Sequence, residues 1–306
     1  WHTHIPKQGV IKPVAGGSSI DVSMVASPDA LIDICTEAFS RHNKMILQPF
    51  YSGMELTVTL VETENGTVVS LPPTATKMLN GTETIFSYRD KYLPSYSTHN
   101  PTPAPIPVTH LADIASQTQA MFRHFGMSDC VRLDGWYDPE QGFICNDVNP
   151  MTGLEQSSFF FKQAACCGAS HADILQTLVR SACARQNLSH LTAYLPSKPA
   201  SDNLPVPVLF GGSSTERQVS VLSGSNVWLK LMRADNLTPH AFFLDQSNQV
   251  WRLPYVLALH HTVEEIEADI QRYQCIPSDL QHYILALSDH LSIPDHQRPF
   301  QYHLDP

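Results

Sequence analysis

No apolar run in the 306 residues approaches the roughly 20 needed to cross a bilayer as a helix, so no membrane partner is expected. The seven cysteines (35, 130, 145, 166, 167, 183 and 275) contain no CxxC pair, which removes zinc-ribbon and thioredoxin-like sites. Odd in number and set among apolar neighbours, they read as reduced, buried thiols of a cytoplasmic protein. Positive charge is in deficit, 19 Lys and Arg against 29 Asp and Glu, for a net charge of −10. That balance argues against nucleic acid as a partner, although a local cationic site for a nucleotide stays open. Neither a signal-peptide pattern nor an initiating methionine is present, and with Trp1 first the sequence reads as a piece of something longer. What is there is ordinary for a globular protein, with 42% hydrophobic residues and a length suited to two or three folding units.

Residues 8–25 read as strand, glycine/serine turn, strand, and residues 28–42 as a helix opened by Ser27 and Asp29. Glu55 to Val61 alternates apolar and threonine positions, the period of a half-buried strand. Residues 94–108 hold five prolines and read as a surface loop before a helix with Leu111, Ile114, Ala115, Thr118, Phe122 and Phe125 at helical spacing. A hairpin follows, with its turn at Asp138–Gly142, and Ser170 with Asp173 resembles a capping box for the next helix. Residues 188–204 are the linker candidate. Val206–Phe210 reads as a buried strand that runs into a glycine turn and a helix. Ala241–Leu244 reads as the next parallel strand, so that a doubly wound unit begins here, with one further helix near 263–273. The chain is therefore α/β.

Arg132 and Asp134 are two apart on one hairpin strand, and Asp147 and Asn149 two apart on the other, so all four side chains can share a sheet face. Oxygen ligands in that arrangement suit Mg²⁺, and arginine suits a phosphate or an oxyanion. The same spacing also fits a solvated strand face carrying incidental charges. Gly16-Gly17-Ser18-Ser19 can cover phosphates with backbone N–H groups, and Lys12 adds a point charge, yet such turns join strands everywhere. No Gly-Lys-Ser/Thr follows, so this is not a Walker A loop. His2, His4, His260 and His261 have no acid or cysteine at convincing ligand spacing and read as surface residues.

Taken in order, these segments resemble the D-alanine–D-alanine ligases of the ATP-grasp superfamily over roughly residues 8–185. VIKPVAGGSSIDVS is similar to their lysine and glycine-loop segment, and MILQPFYSGMELTV to their adenine hinge and ribose-binding strand. FSYRDKYL is similar to the loop with a phosphate-binding lysine and an active-site tyrosine. CVRLDGWYDPEQGFICNDVNPMTGLEQSSF follows their arginine, metal-acid and product-carboxylate segment. The resemblance implies ATP and Mg²⁺ as cofactors, with Mn²⁺ as a substitute. Lys12, Gly17, Ser18, Ser19, Gln48, Glu55 and Lys91 would bind the nucleotide, and Asp134, Asp147 and Asn149 the metal. Ser18 and Tyr92 would order the lid, Arg132 and Gly153 would stabilise the tetrahedral oxyanion, and Ser158 and Phe159 would meet the second substrate. The implied reaction joins amino acids, D-alanine first among them, through an acyl phosphate in the synthesis of peptidoglycan precursors. Gln48 and Asp147 each stand where the family usually has glutamate, and Thr152 and Phe159 also depart from its pattern. A non-catalytic nucleotide-binding or scaffold copy, and a ligase for other amino acids, therefore stay open, as does homo-oligomerisation.

LFGGSSTERQVSVLSG (209–224) is similar to the opening of the same family's N-terminal domain, where Glu216 would bind the first substrate's amino group. The implied order is the back part of one ligase followed by the front part of another. Residues 1–50 would be part of the lid subdomain and 51–187 the catalytic subdomain. After a linker at 188–204, residues 205–306 would be an incomplete Rossmann-like pre-ATP-grasp domain. A tandem protein explains this order, and a circular permutation is the alternative. With half of the lid absent, the isolated segment is expected to be inactive.

Overall fold

Residues 8–15, 20–41, 44–51, 53–78, 98–156, 158–196, 203–234 and 236–300 are described by a computed structural model of the chain. It divides into two compact units, residues 1–54 with 77–99 and residues 55–76 with 100–306.

In the first unit β1 (Gly9–Pro13) alternates its burial, which puts Ile11 into the core and Val10 and Lys12 on the opposite face. It pairs antiparallel with β2 (Ser23–Val25). The next element is α1 (Pro28–Ala38), where Ser27 caps the helix by accepting from the Ala30 N–H at 3.2 Å and proline occupies the first turn. This helix stops at Ala38, short of the expected residue 42, where Phe39 and Ser40 close the last turn onto Cys35 and Glu37 carbonyls. β3 (Met45–Pro49) pairs with the other edge of β1, opposing Val10 to Gln48 and Lys12 to Ile46.

The second unit is built on a sheet of β4 (Met54–Glu62), β5 (Val68–Ser70) and β6 (Thr74–Met78), with β5 and β6 both antiparallel to β4. β7 (Thr98–His99) pairs with Lys77 and Met78 at the end of β6. Contrary to the alternating expectation, β4 is buried on both faces, Thr57 and Thr59 included. Thr57 donates to a carboxylate. A covering helix whose buried amide accepts the Thr59 N–H lies over the strand, and the Thr59 hydroxyl itself is buried with no partner among the described residues. Pro101, Pro103, Ala104 and Ile106 are likewise buried, which corrects the surface loop expected there. The Ala75 N–H donates to Pro101 O and the Ala104 N–H to Pro73 O, so this proline-rich stretch serves as an irregular neighbour of β6.

α2 (Val108–His124) buries Leu111, Ile114, Thr118 and Phe122 of the expected face, while Ala115 is half-buried and Phe125, which caps the helix C-terminus, is exposed. β8 (Cys130–Asp138) and β9 (Gly142–Asn149) form the hairpin, and the sheet runs β6-β4-β8-β9. α3 (Phe159–Cys166) is almost wholly buried, and α4 (His171–Arg185) opens on the expected Ser170/Asp173 capping box. A 3₁₀ turn at Ser189–Tyr194 follows.

β10 (Leu204–Gly211), α5 (Arg217–Leu231) and β11 (Leu237–Leu244) make the expected strand–helix–parallel-strand unit, with β12 (Val250–Arg252) antiparallel to β11. β10 buries only Val208 and Phe210 fully and leaves Leu209 exposed, because alternate side chains point to opposite faces and the face of Val208 and Phe210 is the one packed on the core. α6 (Tyr255–Ala258), α7 (Val263–Gln274) and α8 (Ser278–His290) complete the unit, where one helix was expected. One hydrophobic cluster joins Ala165 and Cys166 of α3 to Phe210, Trp228, Phe243 and Ile266. A second joins Phe160, Phe161 and Ile174 to Leu287, Leu291 and Ile293. His260, expected at the surface, is buried because Asp269 bonds its Nε2 at 2.8 Å. Only Cys166 and Cys167 of the cysteines are fully buried, so that part of the expectation fails for the other five, although all seven thiols are free.

Candidate active site

The hairpin register places Arg132 opposite Asn149 and Asp134 opposite Asp147, so the four residues share one sheet face. Counting back from the Asp138–Gly142 turn would instead set Asn146 opposite Asp134. Between Asp134 and Gly135 the register shifts, since Gly135 pairs with Cys145, and Asn146 is the additional residue of a β-bulge. The bulge turns Asp147 and Asn149 onto the acid face while Phe143 stays in the core opposite Tyr137. Gly135 is required on the partner strand. A Cβ there would lie 2.2 Å from the Ile144 carbonyl oxygen.

Asp134 is the centre of the cluster. Arg132 holds it with a fork, Nε donating at 3.1 and 3.2 Å and Nη2 at 2.9 Å. Asn149 Nδ2 donates to Oδ2 at 3.0 Å, and Thr57 Oγ1 on β4 donates to Oδ1 at 2.9 Å. Both ionic partners are about a quarter exposed, so these are charge-assisted bonds in a partly dry setting. Asp147 is exposed beside them. Among the described residues no group of three or more His, Cys, Asp and Glu can hold a metal ion. Two carboxylates and an amide oxygen in cross-strand register still fit Mg²⁺, which completes its octahedron with phosphate oxygens and water. Cys145 is no nucleophile here. Burial pushes its thiol pKa up, its bond to the Asp147 carbonyl pulls it down, and the Asp134 and Asp147 charges push it up further.

The second-substrate end is set by α3. Ser158 is its N-cap and is buried, and its Oγ has no hydrogen-bond partner among the described residues. A buried hydroxyl at a helix N-terminus is suited to receive a carboxylate. Phe159 begins the helix half-buried, and Thr152 and Gly153 lie just before it. Gln163, wholly buried, fastens α3 to the sheet. Its Nε2 donates to Thr57 O at 2.8 Å and to Thr74 Oγ1 at 3.1 Å, while its Oε1 accepts the Thr59 N–H at 2.9 Å. Thr57 is thereby linked to both Asp134 and the helix that carries Ser158.

Of the other expected residues, Glu55 stands half-buried on β4, two positions before Thr57 and opposite Thr76. In the first unit Lys12 and Gln48 lie half-buried on the same face of its sheet, as the pairing of Val10 with Gln48 requires. Glu216 is exposed at the N-cap of α5, while the nearby Ser220 Oγ accepts the Gly211 N–H at 3.1 Å. Gly17, Ser18, Ser19, Lys91 and Tyr92 lie outside the described residues. Sequence reasoning missed Thr57 and Gln163. The usable signals were a threonine on the acid-bearing strand face and one amide within the apolar helix FFFKQAAC.

The family described as D-ala D-ala ligase C-terminus matches residues 8–180. D-alanine--D-alanine ligase of Corynebacterium jeikeium (strain K411) is 33% identical over 181 residues, covering 57% of this chain and 46% of that protein. The Corynebacterium aurimucosum ligase is 29% identical over 178 residues, covering 57% and 49%. The chain thus spans about half the length of the curated relatives it matches. The VanG D-Ala:D-Ser ligase structure from Enterococcus faecalis aligns at 21% identity and a TM-score of 0.47, over 56% of this chain and 48% of that one.

Proposed function

The chain belongs to the D-ala D-ala ligase C-terminus family, and on that premise we propose that it supplies the ATP, metal and second-substrate contacts of an ATP-dependent carboxylate–amine ligase. The observation that carries this reading is the common face of Arg132, Asp134, Asp147 and Asn149, tied through Thr57 and Gln163 to the helix of Ser158. In the proposed reaction a D-alanine carboxylate attacks the γ-phosphate of ATP, ADP leaves, and an acyl phosphate forms. The amine of a second amino acid then attacks the acyl carbon, loses a proton and displaces phosphate. Asp134, Asp147 and Asn149 would hold Mg²⁺, which would supply charge neutralisation for the phosphate groups. Arg132, with the Gly153 N–H, stabilises the oxyanion of the second step. Ser158 orients the incoming amino acid through its carboxylate. Lys12, Gln48, Glu55 and Lys91 would bind the nucleotide, Lys91 at its terminal phosphates, and Ser18 and Tyr92 would order the lid. The product would be the dipeptide of a peptidoglycan precursor, made in the cytoplasm.

For residues 205–306 we propose the front part of a second ligase-like copy, with Glu216 reserved for a first substrate. The strand–glycine turn–helix order supports this, and the positive φ of Gly211 (96°) and Gly212 (108°) gives the turn its glycine requirement. One observation favours the non-catalytic reading. Both Asp134 oxygens already carry donors from Arg132, Asn149 and Thr57, so a metal must displace the guanidinium fork. The decisive measurement is phosphate release from ATP by the whole protein, with D-alanine and then other amino acids. Release that depends on D-alanine and Mg²⁺ supports the ligase. Release with another amino acid alone moves the substrate assignment. Failure of Mg²⁺·ATP to bind with Asp134 intact would sink the enzyme.

A further inference from the structure

His171 opens α4, and its ring lies 4.0 Å from that of Phe161 on α3, centroid to centroid. Its Nε2 lies 2.8 Å from the carbonyl oxygen of Gln156, two residues before Ser158. At the other side of the ring, Nδ1 lies 2.6 Å from the hydroxyl of Tyr255, the first residue of α6, which follows the linker. Trp228 of α5 packs on the Tyr255 ring at 5.0 Å between centroids. A carbonyl only accepts, so Nε2 carries the ring proton and Nδ1 is left as an acceptor, which the Tyr255 O–H fills. The Tyr255 oxygen in turn accepts the His171 backbone N–H at 3.4 Å.

Both side chains hold the protonation states that this series of bonds requires. Burial lowers the His171 pKa and the Gln156 carbonyl raises it, for a net decrease that favours the neutral ring. Burial raises the Tyr255 pKa, the bond from the His171 N–H lowers it and the Asp173 charge raises it, to about 12 in all. The carbonyl that His171 holds leads directly into the buried Ser158. There the Ser158 N–H donates to Glu155 O at 3.0 Å, and α3 starts from Ser158 as its N-cap. Turning the Gln156 carbonyl away would therefore displace the residue assigned above to the second substrate's carboxylate. Without the Tyr255 hydroxyl the imidazole can carry its proton on either nitrogen, and the Nδ1–H tautomer sets a lone pair against the carbonyl oxygen. We propose that His171 is a positioning residue for the second-substrate end of the site and that Tyr255 fixes the tautomer it needs, so that the segment after the linker completes a site built before it. The identity of the substrate rests on the ligase reading; the bonds do not.

The test compares the whole protein with its Tyr255→Phe, His171→Asn and His171→Gln variants. Phenylalanine keeps the ring against Trp228 and removes only the hydroxyl. Asparagine places a nitrogen near the Nδ1 position alone, whereas glutamine reaches the Nε2 position and can still donate to Gln156. Nitrogen-15 NMR of the imidazole should show the Nε2–H tautomer in the wild type and a mixture of both in Tyr255→Phe. Exchange of the Ser158 amide proton should rise about five-fold in Tyr255→Phe and His171→Asn, as the loss of one hydrogen bond implies, and stay near wild type in His171→Gln. In phosphate release from ATP, the same two variants should raise the KM for the second amino acid about five-fold. Their kcat and KM for ATP should stay within about two-fold of wild type, the pattern of lost binding that is equal in ground and transition states. His171→Gln should restore the wild-type KM. An Nδ1–H tautomer in the wild type, unchanged Ser158 exchange in both variants, a loss confined to kcat, or the same KM in all four proteins overturns the proposal. If the wild type releases no phosphate, the ligase reading fails, and the tautomer and exchange measurements still decide whether His171 positions Ser158.

Discussion

Replacing Gln163 by methionine isolates what holds α3 against the sheet. The volume is nearly kept, so packing loss is small, while three hydrogen bonds at 2.8, 2.9 and 3.1 Å disappear from a wholly buried site. The Thr74 hydroxyl keeps its 2.7 Å partner Thr102, so it is not stranded. The Thr57 carbonyl and the Thr59 N–H each lose the bond the amide makes to them. Each buried backbone group left unpaired costs about 1–3 kcal/mol, so the expected loss is about 2–6 kcal/mol. Against a typical total of about 5–15 kcal/mol, that moves a urea midpoint far outside experimental error. Unfolding should be followed by circular dichroism and tryptophan fluorescence together, with the slope m compared between variants. A loss below about 1 kcal/mol at unchanged m would refute the account, since it would mean that the two backbone groups find other partners when the amide is gone.

Glu265 gives a pH signature. Burial alone would raise its pKa, but Lys162, His260 and the N–H groups of His261 and Thr262 win and hold it to about 2. A depressed folded pKa stabilises above the ordinary glutamate range and is lost as pH falls through 2. The stability gap between wild type and Glu265→Gln should thus be flat above about pH 5 and shrink below it, by about 1–3 kcal/mol in all. A gap that widens on acidification would contradict this. Gly135→Ala should lower the melting temperature by the equivalent of about 1–3 kcal/mol, because its methyl meets the Ile144 carbonyl at 2.2 Å; an unchanged melt would show that the hairpin can yield. Asp134→Asn should weaken Mg²⁺-dependent ATP binding at least ten-fold in calorimetry, and equal affinity with and without Mg²⁺ in wild type would remove the metal role.

The hairpin and its turn were legible, as were the pairs Arg132 with Asp134 and Asp147 with Asn149, each on one face of its strand; that the two pairs share a face depends on the bulge at Asn146, which spacing alone does not show. The capping box at Ser170 and the parallel pairing of β10 with β11 were legible for the same local reasons. What could not be read depends on contacts between distant residues. Thr57 and Thr59 look solvent-facing until Asp134, 77 positions away, accepts the Thr57 hydroxyl and Gln163, 104 positions away, accepts the Thr59 N–H from the helix that covers the strand. His260 looks like a surface histidine until a helix brings Asp269 beside it. The prolines of 100–107 look like a surface loop because proline marks irregularity, not exposure. Their carbonyls accept hydrogen bonds from the Ala75 N–H and the Arg272 guanidinium elsewhere in the chain.

The bulge at Asn146 has a consequence for how this strand tolerates changes of length. Loss of Asn146 leaves Asp147 opposite Asp134 and Asn149 opposite Arg132, since the ladder becomes regular with both pairs intact. A residue lost between Asp147 and Asn149 instead inverts the parity that puts those two side chains on one face. Deletions in β9 are therefore not equivalent: a residue lost between the turn and Asp147 is absorbed by the bulge and spares the acid face, whereas one lost beyond Asp147 does not.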